Sequence, residues 1–383
     1  MAVKRQLQHK MLPIGSHDED ARQGFVQNFR LILGRDIAPA NKTVWEKSVG
    51  PAFVKEHGRE PETSEEVQEV MTKDRRYQIW SAMQRNSQEL MWDSVIDSVE
   101  RQLPDLIEKA KPTNAPAGGS LTLDPDLATP HYLTDHDIHL QPGCYQANYT
   151  DGDVAAGAVY DRGGFVYSMG YIGVKSDFTG TSNLHLFKIL FPDAKPKRVL
   201  DMGCAMGNST LPWAEEFPDA EVYGVDVGPA LLRYGHARAE DLGVKIHFSQ
   251  QNVEQTDFED GSFDAVVSHW LMHETNHHAV PKIFAESRRL LKPGGIMMHF
   301  DLPRFCDMEP VNAFLASWEA RNVAEDFAAD YRVMDIVGEA QKAGWQDGEV
   351  SIEGAESYPP YKVGNYVAAF IAWPVLVGVK GDR

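Results

Sequence analysis

RVLDMGCAMGNST, residues 198–210, decides the fold. An apolar run ends in Asp201 and breaks into Gly203, Ala205 and Gly207 before the cap-like Asn208, Ser209 and Thr210. Glycine lacks a Cβ, so the backbone at Gly203 and Gly207 can turn tightly and let a ligand approach. The N-terminus of a following helix adds unpaired N–H groups. Between a strand and a helix, such a loop holds a nucleotide-like ligand.

The flanking sequence supplies that setting. EVYGVDV (221–227), KIHFSQ (245–250), FDAVVSH (263–269) and GIMMHFD (295–301) read as strands. GPALLRYGHARAEDLG (228–243) and HAVPKIFAESRRLLK (278–292) read as helices between them. Strands alternating with helices of this length predict an α/β domain with a doubly wound parallel sheet. Ligands bind such sheets beyond the carboxyl ends of the strands. Asp226, ending the second strand, is placed to accept hydrogen bonds from a ribose diol.

A nicotinamide enzyme uses the same layout, so the glycine positions discriminate. The dinucleotide fingerprint wants glycine at three places, and counted from Gly203 the second and third are Ala205 and Asn208. Asp201 puts a carboxylate at the strand end, which suits a cationic amino-acid moiety better than a diphosphate.

Ahead of this core lie residues 1–115, which read as mainly helical. Thr63 and Glu66 have capping-box spacing, so a helix starts near Ser64. Tyr77, Trp80, Met83, Leu90, Met91, Val95, Ile96 and Val99 recur at three and four, which predicts a long amphipathic helix to Leu103. Its stripe suits packing on the rest of the chain, a pocket wall or a homodimer seam. KPTNAPAGGSLTLDPDLATP (111–130) has turn-forming composition without periodicity and reads as a linker with a boundary near 115. Residues 116–180 are expected to be linker and covering segment, and 181–383 the ligand-binding domain.

The formal charge is −19 over 383 residues, a surface that repels a nucleic-acid backbone. No apolar stretch reaches a membrane span, and the basic N-terminus is followed by no apolar leader, so a cytoplasmic protein without membrane contact is expected. Cys144, Cys204 and Cys306 are widely spaced and suggest no disulfide framework. HYLTDHDIHL carries His131, His136 and His139 among Asp135 and Asp137, with Cys144 beyond. These spacings match no familiar ligand pattern, and no metal is expected.

VLDMGCAMG (199–207) resembles motif I of the class I S-adenosylmethionine-dependent methyltransferases, whose usual form is VLDxGCGxG. VYGVDVG (222–228) is similar to the family's ribose-binding strand. QNVEQTDFEDGSFDAVVSHWLMHE (251–274) is similar to its adenine loop and fourth strand, and ESRRLLKPGGIMMHFD (286–301) to the turn into its fifth strand. AQKAGWQ and VLVGVK resemble the late helix and last strand, so the likeness covers about residues 181–383.

The resemblance implies a Rossmann-like fold, S-adenosyl-L-methionine as cofactor and methyl transfer. Asp201, Gly203, Ala205 and Gly207 would cradle the methionine portion, Asp226 the ribose, and Asn252 with Val253 the adenine. Ala205 stands where the family usually has glycine, and Asn252 where it usually has Asp. The end of the fourth strand would face the methyl group, which nominates Ser268, His269, Trp270 and, one turn on, His273. His269 is the first choice for a base or orienting group, with His273 second. Tyr160, Tyr167 and Tyr171 could pack on adenine or sulfonium, and Arg162 and Lys175 could answer an acceptor carboxylate. A small-molecule acceptor, methylated on oxygen or sulfur ahead of nitrogen by in-line displacement, is the expected substrate. A protein or peptide acceptor, and a donor-binding protein without catalysis, are the alternatives.

Overall fold

A computed structural model describes residues 5–112, 116–135, 137–358 and 372–381. Eight strands form one sheet: β1 (Ser120–Thr122), β2 (Arg198–Met202), β3 (Glu221–Asp226), β4 (His247–Gln250), β5 (Phe263–His269), β6 (Leu291–Phe300), β7 (Val350–Ala355) and β8 (Trp373–Val379). Their spatial order is β1-β4-β3-β2-β5-β6-β8-β7. Pairing is parallel from β1 through β6, whereas β8 runs antiparallel to both β6 and β7.

The central strands are apolar on both sides because helices cover both faces. Val199, Ala265, Val267 and Met298 point into one core with Trp213 and Phe187. Leu200, Met202, Val266 and Met297 point into the other with Ile283, Phe284 and Trp345. This period of two decides which polar residues meet at the strand ends. Asp201 shares the face of Val199, and His269 that of Val267, so the two meet. Ser268 shares the opposite face with His299, its cross-strand partner.

His299 is 1% exposed, with Nδ1 2.7 Å from Ser268 Oγ and Nε2 3.1 Å from Ser287 Oγ. Burial, with the neighbouring His269, pushes its pKa down to about 3, so the folded ring stays neutral. An unfolded histidine titrates near 6.5, so the unfolded chain takes up a proton that the folded chain refuses below that pH. This contribution to stability is complete above about pH 6.5 and is lost as pH falls toward 3, at about 1.4 kcal/mol per pH unit. Urea unfolding of His299→Gln between pH 4 and 7 should show a shallower acid loss than wild type; an unchanged slope would assign the loss to other groups.

The N-terminal half packs directly on this core. The helix His17–Ile32, the 36-residue helix Arg75–Ala110 and the helix Ala155–Tyr167 close around Met206, Tyr234 and Ala237. The helix expected near Ser64 spans Ser64–Met71, with Thr63 Oγ1 accepting the Glu66 N–H. The long helix starts at Arg75 and buries Tyr77, Trp80, Met91, Val95 and Val99 as predicted. Leu90 is 42% exposed, and Gln84, Ser87, Gln88, Ser94 and Ser98 take buried places beside the apolar ones.

One carboxylate ties three segments together. Asp161 is fully buried, with Oδ2 2.8 Å from Tyr234 Oη, 3.0 Å from His9 Nε2 and 3.5 Å from Arg238 Nε. Its Oδ1 accepts from Gln6 Nε2 at 2.8 Å. Burial raises its pKa, but Arg238 and His9 bring it below the usual carboxylate value.

Ser120–Thr122, inside the stretch expected to be a linker, is the edge strand β1. Glu240 accepts from the backbone N–H groups of Ala117 and Gly119, and Ser120 Oγ lies 2.8 Å from His247 Nδ1. These tertiary contacts hold a sequence with no strand periodicity of its own. A further difference is the helical stretch after β6. Pro310–Ala316 and Trp318–Asn322 pack Phe314 and Trp318 against Tyr77 and Trp80. Among the described residues, no helix is long and apolar enough to cross a membrane.

Candidate active site

The loop after β2 is built by the residues that predicted it. Gly203 and Gly207 have φ of 67° and 77°, and a Cβ on Gly203 would lie 2.5 Å from the Leu271 side chain. Ala205 adopts φ 48° despite its methyl group, and its N–H donates to Asp226 Oδ2 at 2.9 Å. Asp226 Oδ1 accepts from Gly228 N at 2.9 Å, so this carboxylate clamps the β2 loop to the end of β3. Burial raises its pKa.

The expected cap residues are used differently. Asn208 donates to the Ser176 carbonyl, Ser209 Oγ lies 2.7 Å from Thr179 Oγ1, and Thr210 donates to Asp201 Oδ2 at 2.6 Å. Asp201 Oδ1 lies 3.0 Å from His269 Nδ1. Asp201 is thus engaged by the protein itself and braces the loop.

A cavity of about 370 Å³ opens at these strand ends, within the usual size range of small-molecule sites, about 300–1,000 Å³. Asp201, Gly203, Ala205, Asp226, Asn252, Val253, His269 and Trp270 line one end. Tyr160, Tyr167, His139, His273, Glu274 and Trp92 line the other. Asn252 Oδ1 accepts from Glu254 N at 2.9 Å and keeps a second lone pair for a ligand. No lysine or arginine is among the described residues lining the cavity. That lining suits an adenosine carrying a sulfonium and offers no lysine or arginine to a diphosphate.

Several expected site residues lie elsewhere. Ser268 is turned to the His299 face and does not line the cavity, because adjacent strand residues point to opposite sides. Arg162 is spent on Gln23 and Gln6, at 2.7 and 3.0 Å, and Lys175 pairs with Glu215 at 2.5 Å. Gly207 and Tyr171 also lie outside the lining. His269 does line the cavity, but its second nitrogen lies 3.2 Å from Asn183 Nδ2. Asp201 thus stands at one ring nitrogen and Asn183 at the other.

Of the histidines of HYLTDHDIHL, His131 is exposed and His136 lies outside the described residues. His139 instead joins residues distant in sequence. Its Nε2 is 2.8 Å from Glu274 Oε1 and its Nδ1 2.6 Å from Glu325 Oε1. His273 Nδ1 is 2.6 Å from Asp301 Oδ1, and its Nε2 is 3.5 Å from Glu274 Oε1. Tyr145 Oη donates to Glu274 Oε1 at 3.1 Å, and Tyr167 Oη to Glu319 Oε1 at 2.5 Å.

The electrostatics follow from this crowding. Burial alone would lower the His139 pKa, but Glu325 and Glu274 raise it well above the usual value. His273 is likewise lowered by burial and carried up to about 10 by Asp301 and Glu274. Burial and Glu274 push the Tyr160 phenol up to about 12, so it remains a hydrogen-bond donor. Sequence reading missed Glu319 and Glu325, which look like solvated helix positions, and Tyr145. Gln88 and Trp92, on the long helix, both donate to the His139 carbonyl, at 2.9 and 2.8 Å.

Residues 199–295 match the family described as Methyltransferase domain. The chain is 33% identical over 108 residues to demethylmenaquinone methyltransferase of Thermus thermophilus, covering 28% of this chain and 48% of that protein. It is 32% identical over 108 residues to trans-aconitate 2-methyltransferase of Deinococcus radiodurans, covering 28% and 39%. The chain thus spans about half, or less, of the length of these relatives. Among solved structures, Haemonchus contortus phosphoethanolamine N-methyltransferase 2 in complex with S-adenosyl-L-methionine aligns over 58% of this chain and 57% of that one, at 20% identity and a TM-score of 0.42. Residues 199–295 thus carry a methyltransferase domain, of the kind that uses S-adenosylmethionine.

Proposed function

We propose that the protein methylates a small molecule, on oxygen or sulfur, inside the cavity between the glycine loop and the His139–Glu274 cluster. The observation that supports this reading most is continuity: one cavity is lined at one end by the donor-loop residues and at the other by a convergent polar cluster. When bound, S-adenosylmethionine supplies a methyl group already activated by its sulfonium.

The chain's own residues then have separable tasks. Asp226 would accept from ribose hydroxyls, Asn252 and Val253 would border the adenine, and Gly203 and Ala205 would leave room for the methionine portion. Trp270 and Tyr160 present aromatic surface to a cationic sulfur. Asp201, fixed by Thr210 and His269, keeps the loop in shape. At the far end Glu274, His139 and His273 would fix the acceptor's reactive atom, an orientation effect that removes much of the barrier to in-line attack. Trp92, Tyr145 and Tyr160 offer apolar walls that exclude water. An acceptor held by a carboxylate group fits poorly, since the lining contributes carboxylates of its own.

Calorimetric titration with S-adenosylmethionine, S-adenosylhomocysteine and NADH tests the donor half. Saturable binding of the first two and not the third is expected, followed by turnover in a screen of phenols, aliphatic alcohols, thiols and thioethers. Absence of binding by both methionine-derived ligands would overturn the reading.

A further inference from the structure

The far end of the cavity has the arrangement of a metal centre. His139, His273 and Glu274 each offer one donor atom, and those atoms lie within 4.8 Å of one another. The Nε2 atoms of the two rings stand 2.8 and 3.5 Å from Glu274 Oε1. With metal bonds of about 2.0–2.1 Å, neighbouring ligands of a tetrahedral ion stand about 3.3 Å apart, so these separations bracket the required edge.

The supporting groups are those that metal-binding histidines use. A ligating imidazole almost always gives its other N–H to a carboxylate or carbonyl, which fixes tautomer and ring orientation. Here His139 gives Nδ1 to Glu325 and His273 gives Nδ1 to Asp301, at 2.6 Å in both cases. The cluster draws on three parts of the chain: the covering segment, the turn after β5 and, behind the rings, the stretch after β6.

Two independent observations point to a ligand. Glu274 Oε2 is buried without a hydrogen-bond partner among the described residues, on a residue 9% exposed that lines the cavity. His139 holds a left-handed backbone, φ 56°, and its carbonyl is clamped there by Gln88 and Trp92. A non-glycine residue persists in that region only when its surroundings over-determine it, and such strain concentrates at functional sites.

We propose that His139, His273 and Glu274 bind one divalent first-row transition-metal ion, of the Zn²⁺, Mn²⁺ or Fe²⁺ kind, in the acceptor end of the cavity. Two imidazoles and one carboxylate are a borderline nitrogen and oxygen donor set that suits these ions and leaves positions for an exogenous ligand. Those positions would take the acceptor's oxygen or sulfur and hold it as the anion, its proton passing to water. The ion's role rests on the methyltransferase reading above; its binding does not.

The test uses the untagged full chain, stripped with EDTA and desalted. Titration with Zn²⁺ and with Mn²⁺ should show one saturable site per chain, and Co²⁺ should give visible absorption bands that Zn²⁺ abolishes. Glu274→Gln should abolish both signals while S-adenosylhomocysteine still binds, which shows that the fold is intact. Asp301→Asn should weaken the ion by about 10- to 100-fold, as loss of a supporting partner does. Absence of a saturable site, or binding unchanged in both Glu274→Gln and His273→Ala, would overturn the proposal. Loss of S-adenosylhomocysteine binding in the wild-type chain with metal binding intact would instead sink the donor reading and leave this one standing.

Discussion

Replacing Asp161 by alanine is expected to destabilise the chain by about 3–5 kcal/mol, the usual effect of removing one partner from a buried ion pair. Arg238 is 1% exposed, and its Nε stands 3.5 Å from the carboxylate that would be lost. Tyr234, His9 and Gln6 would lose their partner at the same time. The penalty is large because the guanidinium remains buried without its counter-charge; the hydrogen bonds alone are worth about 1 kcal/mol each. Asp161→Asn keeps an acceptor for Tyr234 while removing the charge, so it should fall between wild type and alanine. Urea denaturation of the three proteins measures this, and an alanine variant within about 1 kcal/mol of wild type, an ordinary mutational effect, would show that Arg238 finds another partner.

Asp226→Ala is expected to weaken S-adenosylhomocysteine binding by roughly 10- to 150-fold, the equivalent of about 1.5–3 kcal/mol for hydrogen bonds to a charged group. Two losses act together. The ribose would lose its acceptor, and Ala205, at φ 48°, would lose the carboxylate that holds its N–H. Asp226→Asn separates them, since its amide oxygen can still take the Ala205 N–H. Recovery of most of the affinity in Asn would assign the effect to loop geometry. Calorimetry on the three proteins reads it directly, and unchanged affinity in Asp226→Ala would remove this residue from the donor site.

What the sequence revealed was local in origin. An apolar run ending in an acid and breaking into glycines is decided by neighbouring residues, so β2, its loop and Asp226 were legible. So were the strands and helices that follow, because period and turn chemistry are written in consecutive positions. Asn252, Val253, Tyr160, Tyr167, Trp270 and His273 all line the cavity. Ser268 failed on a point that the sequence did contain, since it and His269 are adjacent in one strand and cannot share a face. Arg162 failed for a reason it did not contain: its partners Gln6 and Gln23 belong to a segment whose docking no local pattern announces. The same holds for Glu319 and Glu325. In WEARNVAE they look like solvated positions, and only the packing of Phe314 and Trp318 on the long helix carries them to the cavity.

The edge strand β1 has a bearing on how the cavity is covered. The stretch that covers the cavity is pinned upstream by β1 and downstream by the helix Phe178–Leu190, whose Thr179 touches Ser209 in the donor loop. Held at both ends, it is a bridge and not a door. Between those two anchors Gly143, Gly152, Gly170 and Gly173 take positive φ. The span that brings Tyr132, His139, Tyr145 and Tyr160 to the cavity is therefore fastened on both sides to the sheet and its donor loop, so a change at either anchor acts on all four at once.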